Sequence, residues 1–297
     1  MPPPVGRPAA SAAKGFLLAR SQRFAGRQSL QKPTIRSFSS STDNDEFPQF
    51  ERGYDLAAGL WHRCYQRLPK LQEYQEKEVF VDSLNSLAQV WLFIQLQLPQ
   101  KTSVDLLEFV EGARLATEAN LRTMNCVEFP EFLAEKENGS SEVADSLQQF
   151  TTPAYYHQMA LQVKKNYLQR NFYVECEGMR IEKAQLAQVV YRRLTEKEYA
   201  DLVSLKKPPT GVSPEATVEH LRLHVDVATV EDLNLVFLQD KTRHVQQQNV
   251  YRVVFESRVT DPEEVDWRIE SMHIMEQKGM ERFQKAPENV TKDEKSE

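Results

Sequence analysis

Two histidines four residues apart, His220 and His224, are the first candidates for chemistry in this chain, followed by two carboxylates near tyrosines: Asp226 and Glu256 with Tyr191 and Tyr251. On a helix, a four-residue histidine spacing presents two imidazoles to one metal ion. A carboxylate beside a tyrosine can move a proton inside a pocket. Neither pattern requires that chemistry here. In "EHLRLHVDVATV" the apolar Leu221, Leu223, Val225 and Val227 alternate with Arg222, His224 and Asp226. That period is a half-buried strand, and it assigns both histidines to a solvated polar face. No phosphate loop, GxGxxG turn, GxSxG elbow or HExxH pair occurs. The expectation is a non-enzymatic protein with no cofactor, no metal and no small-molecule substrate.

The charge pattern carries more information. Residues 161–210 hold ten basic and six acidic side chains, a net +4, between stretches of −10 (39–160) and −7 (211–297). Lys164, Lys165, Arg170, Arg192, Arg193, Lys206 and Lys207 are the candidate contacts for RNA or anionic lipid. If they converge they attract phosphates, with binding that falls steeply as salt rises. Tyr191 beside Arg192 and Arg193, and Tyr167 near Lys164 and Lys165, add rings that stack on bases or sit among headgroups. The competing reading is an ordinary solvated face balanced by nearby acids.

The elements that must position these residues read as helices first and strands last. "FVDSLNSLAQVWLFIQLQLP" is an apolar-faced helix ending before Pro99, packed on the domain or dipping into a bilayer surface. Ser103 is the expected cap of "VDLLEFVEGARLATEANL". Thr152, with Pro153 at the first helical position, opens "AYYHQMALQVKKNYLQRN". Residues 181–194 fit helix or strand equally by period. Thr195 to Glu198 is a capping box. After the strand at 219–230 come "NVYRVVFESRVT" and "VDWRIESMHIM", joined through Asp261, Pro262 and Glu263. This order predicts an α+β fold with helices against one face of an antiparallel sheet, and from Gln277 onward a polar tail without order.

The first 38 residues differ in kind. They carry seven Lys or Arg and no acid, whereas the remainder nets −13. Wound as a helix, Arg20, Arg23 and Arg27 share a stripe with Leu17 and Phe24 on its flank. This is the composition of a mitochondrial transit peptide, the competing reading being a disordered basic nucleic-acid arm; "RSFSSS" resembles the processing site of the mitochondrial matrix peptidase, which implies cleavage after Phe38. Cys64, Cys126 and Cys176 are too few and too scattered for a disulfide framework or zinc site. The longest apolar run, Val90 to Ile94, is far shorter than a spanning helix.

Three stretches carry a family resemblance: "DLLEFVEGARLA", "TPAYYHQMALQVKKNY" and "VYRVVFESRVTDPEEVDWRIESMHI". Together they resemble the C-terminal domain of the mitochondrial Tim-forty-four-like family. The late strands are most similar to those of the L-forty-five proteins of the mitochondrial large ribosomal subunit, through Val253, Val254, Phe255, Thr260, Pro262, Trp267 and Arg268.

The chain is therefore expected to divide into a transit peptide (1–38), an N-terminal helical extension (39–102), the Tim-forty-four-like domain that the resemblance implies (103–276) and a polar tail (277–297). It implies a curved-sheet, cone-like fold of the nuclear-transport-factor type, peripheral to the matrix face of the inner membrane. The partners it implies are the mitochondrial ribosome, protein and RNA, and anionic inner-membrane lipid. An accessory role in the protein import motor, with translocase and matrix chaperone as partners, is the alternative. A small-molecule enzyme using the cone pocket is the second alternative. About 65 residues separate Ser39 from the domain, too few for the long charged chaperone-binding region of the import subunits.

Overall fold

The computed structural model describes residues 53–135, 141–204, 216–238 and 241–280. Residues 1–38, expected to be a transit peptide, and the expected cleavage site after Phe38 lie outside the described residues. Among those described, seven helices precede or interrupt a single four-stranded sheet, so the chain is α+β.

The helices are α1 (Gly53–Glu76), α2 (Ser86–Leu96), α3 (Leu106–Met124), α4 (Glu128–Ala134), α5 (Glu142–Phe150), α6 (Pro153–Arg170) and α7 (Glu196–Val203). Their starts follow capping chemistry. Asn85 accepts from the Ala88 amide at α2, and Thr152 accepts from the Tyr155 amide at α6, with Pro153 following as expected. The Thr195–Glu198 capping box opens α7. At α3 the expectation was wrong: Asp105, not Ser103, caps the helix by accepting from the Leu107 amide. A carboxylate at that position satisfies an orphan donor and also meets the positive end of the dipole.

The strands are β1 (Phe172–Leu194), β2 (Val218–Phe237), β3 (Lys241–Arg258) and β4 (Arg268–Met280), paired antiparallel in the order β1-β2-β3-β4. Residues 181–194, open between helix and strand, lie in β1. Register shifts between Cys176 and Gly178, Ile181 and Lys183, and Leu186 and Gln188 explain the ambiguity. Each bulge inserts a residue and breaks the two-residue alternation that marks a strand. β4 continues through Gln277 to Met280, which corrects the expected onset of the tail; residues 281–297 lie outside the described part.

One face of the sheet meets the helices. Leu221, Leu223, Val225 and Val227 of β2 are fully buried there, beside Tyr251, Val253 and Phe255 of β3. Phe109 of α3 packs edge-on against Phe255 and Trp267, with ring centroids 5.6 and 4.8 Å away. α2 shares this core through Leu92, Phe93 and Leu96. The free edge of β1 is covered by the segment after α1. There the Val81 amide donates to the Leu186 carbonyl and the Leu186 amide to the Val79 carbonyl. The Gln185 side-chain amide donates to the carbonyls of Glu78 and Phe80.

α6 turns into β1 through Asn171, whose backbone is left-handed (φ 53°), a conformation that asparagine tolerates better than most residues. This turn sets where the cations of α6 stand relative to the sheet.

Candidate docking surface

The basic candidates do not come together. Lys164, Lys165 and Arg170 lie on the second half of α6, next to the start of β1, whereas Arg192 and Arg193 lie at its far end. At about 3.3 Å per strand residue the two groups are separated by roughly 60 Å of strand contour. Lys206 and Lys207 lie outside the described residues.

The two groups also differ in availability. Lys165 and Arg170 are exposed and Lys164 is half-buried, and none of the three enters an ion pair among the described residues. With the exposed Leu161 and Leu168 they make a mixed lysine–leucine face. Arg193 is only 13% exposed and stands 3.7 Å from the Glu219 carboxylate, which is 1% exposed. Its Nε donates to the Tyr191 hydroxyl (2.7 Å), and that hydroxyl donates to Glu219. Arg193 is therefore committed to the interior. Arg192 occupies the opposite sheet face, across from His220, with its Nη1 buried and without a hydrogen-bond partner.

The strand's parity decides the histidine and tyrosine candidates. His220 is not solvated: α7 covers it, with the Tyr199 ring 5.6 Å away. Its Nε2 meets Glu256 Oε2 at 2.9 Å. His224 is half-buried, and burial, reinforced by Arg222 and Arg252, pushes its imidazole down to about 4. Asp226 takes both arms of Arg252, at 2.7 and 2.8 Å. These even-numbered side chains face away from the core.

Tyr191 and Tyr251 face the core, so neither meets Asp226 or Glu256 as the sequence suggested. Tyr191 donates to Glu219, and Tyr251 donates to Glu231 (3.2 Å). Burial raises both hydroxyls above the usual tyrosine range, with the neighbouring glutamate adding. Glu231 also accepts from Thr229 and from Gln247 (3.1 Å). Each carboxylate is thus held by donors of the protein itself. Among the described residues no group of three or more His, Cys, Asp or Glu is placed to hold a metal ion.

What sequence reasoning missed lies on α1. Tyr54, Trp61, Tyr65 and Leu68 are 86, 75, 71 and 50% exposed, and their spacing of seven, four and three residues stacks them on one helical stripe. Arg63 and Arg67 point the other way. Arg63 Nε donates to the Gln97 carbonyl (2.9 Å), Arg67 Nη1 to Gln97 Oε1 (2.8 Å), and Lys70 pairs with Asp105 (2.9 Å). α1 thus ties Arg63 and Arg67 to the body on the side that buries Leu71 and Tyr74, leaves Lys70 exposed, and turns its aromatic stripe to solvent. On α2, which buries Leu92, Phe93 and Leu96 in the usual way, Leu87 and Trp91 are also exposed. The three-and-four spacing from Trp61 to Leu68 was visible in the sequence, but nothing local says which face meets the domain.

No helix among the described residues is long and apolar enough to cross a membrane. No protein-family model matches the chain, and no curated protein is significantly similar to it.

Proposed function

We propose that the chain is a non-enzymatic docking protein, peripheral to the matrix face of the mitochondrial inner membrane, that holds the mitochondrial large ribosomal subunit near that membrane. The observation that carries this is helix α1, with Tyr54, Trp61, Tyr65 and Leu68 outward and Arg63 and Arg67 inward. Aromatic rings with polar edges favour the headgroup boundary of a bilayer. Side chains of this size contribute roughly 1.5–3 kcal/mol each when taken fully out of water. Because the stripe itself carries no charge, little desolvation opposes its entry.

In this proposal α6 is the second contact. Lys164, Lys165 and Arg170 meet phosphates of RNA or lipid, and Leu161 and Leu168 lie beside them. The helices and sheet would form the cone-like, nuclear-transport-factor-type domain that the family resemblance implies. The mutual hydrogen bonds around Glu219 and Glu231 support a structural rather than a proton-transferring use of those carboxylates.

Two measurements test the proposal. In flotation with cardiolipin-containing vesicles, the chain is expected to rise with the lipid and to stay there at high salt, since apolar insertion is not screened. Affinity purification from mitochondria is expected to return large-subunit ribosomal proteins. Recovery of translocase and chaperone instead would favour the import-motor role. A chain that ignores vesicles and purifies with neither set would refute docking at this membrane.

A further inference from the structure

The two edges of the sheet are treated differently. The β1 edge is closed by Val79–Val81, while the outer edge of β4 is bridged only at its start, where Thr151 meets Ile269. From residue 270 to 280 no strand lies against that edge among the described residues. Such an edge is a template for pairing, and proteins normally blunt it with proline, charge, bulges or a cover; β4 has bulges at Glu270 and Met275 and a lysine at 278, but Glu276 to Gly279 pair with β3 in regular register. Here there is no proline, and residues 273–279 are exposed on both faces, including Ile274 and Met275. This end of the sheet extends past the helices as a blade.

The order of side chains along the blade is self-complementary. Turn the strand "MEQKG" (275–279) about a two-fold axis through Gln277 and set it antiparallel to itself. Glu276 then faces Lys278 of the second copy, and Lys278 faces Glu276. Met275, the extra residue of a β4 bulge, ends this regular stretch near Gly279, where the space a Cβ would fill is open to 4 Å. Gln277 faces Gln277. Its Nε2 already donates to Gln247 Oε1 at 2.8 Å, which leaves an acceptor oxygen and a second N–H for a reciprocal amide pair. Lys278 and Glu276 of one copy stand 3.7 Å apart, so the dimer would hold a four-membered ion network.

Neighbouring two-fold registers are poorer. An axis through Glu276 sets like acids directly opposite, and an axis through Lys278 sets like cations opposite, both unfavourable across strands. We infer that the outer edge of β4 is a homodimer interface, in which two copies pair antiparallel about Gln277 to join their sheets into one. The inference is independent of the membrane proposal, because it uses neither α1 nor α6. The pairing surface is one strand edge, well short of the area of a tight obligate dimer, so association is reversible.

Sedimentation of the full chain over a wide concentration range tests it, with circular dichroism confirming that every variant folds. The wild type is expected to show a monomer–dimer equilibrium. Glu276→Lys and Lys278→Glu each set like charges opposite and should raise the dissociation constant about tenfold or more. The double swap, Glu276→Lys with Lys278→Glu, should restore it. Mild oxidation of Gln277→Cys should lock the dimer, because facing residues in an antiparallel pair stand about 4.5–5.5 Å apart at Cα, within disulfide reach. Gln248→Cys on β3 should not, and the wild type reports any background from Cys64, Cys126 and Cys176. A wild type that stays monomeric, single variants that dimerise unchanged, or a double swap that fails to restore pairing would each overturn the inference.

Discussion

Helices α1 and α6 make an instructive pair. Both carry cations and large apolar residues, yet α1 turns Arg63 and Arg67 inward to Gln97 and its rings outward. α6 turns Lys165 and Arg170 outward beside Leu161 and Leu168, and buries Tyr155 and Met159. A cation's place along the chain therefore says little about its availability to a partner. What decides is whether an acceptor waits on the body side: Gln97 does for Arg63 and Arg67, Glu219 does for Arg193, and no such acceptor is found for Lys164 or Lys165 among the described residues.

The largest effect should come from Glu219. Glu219→Ala removes the buried carboxylate that accepts from the Tyr191 hydroxyl and faces Arg193 and should cost about 3 kcal/mol, read as a shift of the urea midpoint. The folded fraction should still float with vesicles. Tighter, salt-sensitive flotation would show that Arg193, once released, acts as a contact residue.

Next is the aromatic stripe. Trp61→Ala with Tyr65→Ala should remove about 3 kcal/mol of vesicle binding, roughly a hundredfold. Stability should change by less than about 0.5 kcal/mol, because both side chains are exposed. A large fall in melting temperature instead would mean that the stripe is packed in the native protein. On the inward side, Arg67→Ala removes the bond to Gln97 and should cost about 1 kcal/mol, seen as faster hydrogen exchange in α1 alone.

The reversal Lys164→Glu with Lys165→Glu sharpens the comparison from the other side. Phosphate binding at low salt should weaken by about threefold to tenfold, with no difference left at high salt. A salt-independent effect would assign α6 to the apolar class of contact.

The smallest effect is a slope. Burial raises the Glu219 carboxyl above its ordinary 4.5, so the native state binds this proton more tightly than the unfolded chain. The contribution is fully present below 4.5 and is lost as pH rises through the native value. Glu219→Gln should lack that decline in a plot of melting temperature against pH.

The fold was legible where periods were clean. Leu221 to Val227 announced β2, and Thr152-Pro153 announced α6. Residues 181–194 were not legible, because bulges in β1 reset the alternation twice within that stretch. The candidate surface was harder still. Lys164 and Lys165 were found by charge counting and Arg193 was misjudged by it, since its partner Glu219 lies 26 residues later, across the β1–β2 pairing. The exposure of Trp61 and Tyr65 was not legible, because an apolar spacing of four and three residues marks a helical stripe without saying whether it is buried; the tertiary bonds of Arg63 and Arg67 to Gln97 decide it.

The short clip that fastens residues 78–82 to Leu186 and Gln185 has a mechanical consequence. It ties the end of α1 to the middle of β1 with only a few residues between, so helix and sheet cannot swing independently. Whatever surface seats the rings of α1 also fixes the tilt of the sheet above it, and a pull on one is felt by the other as torque rather than as slack.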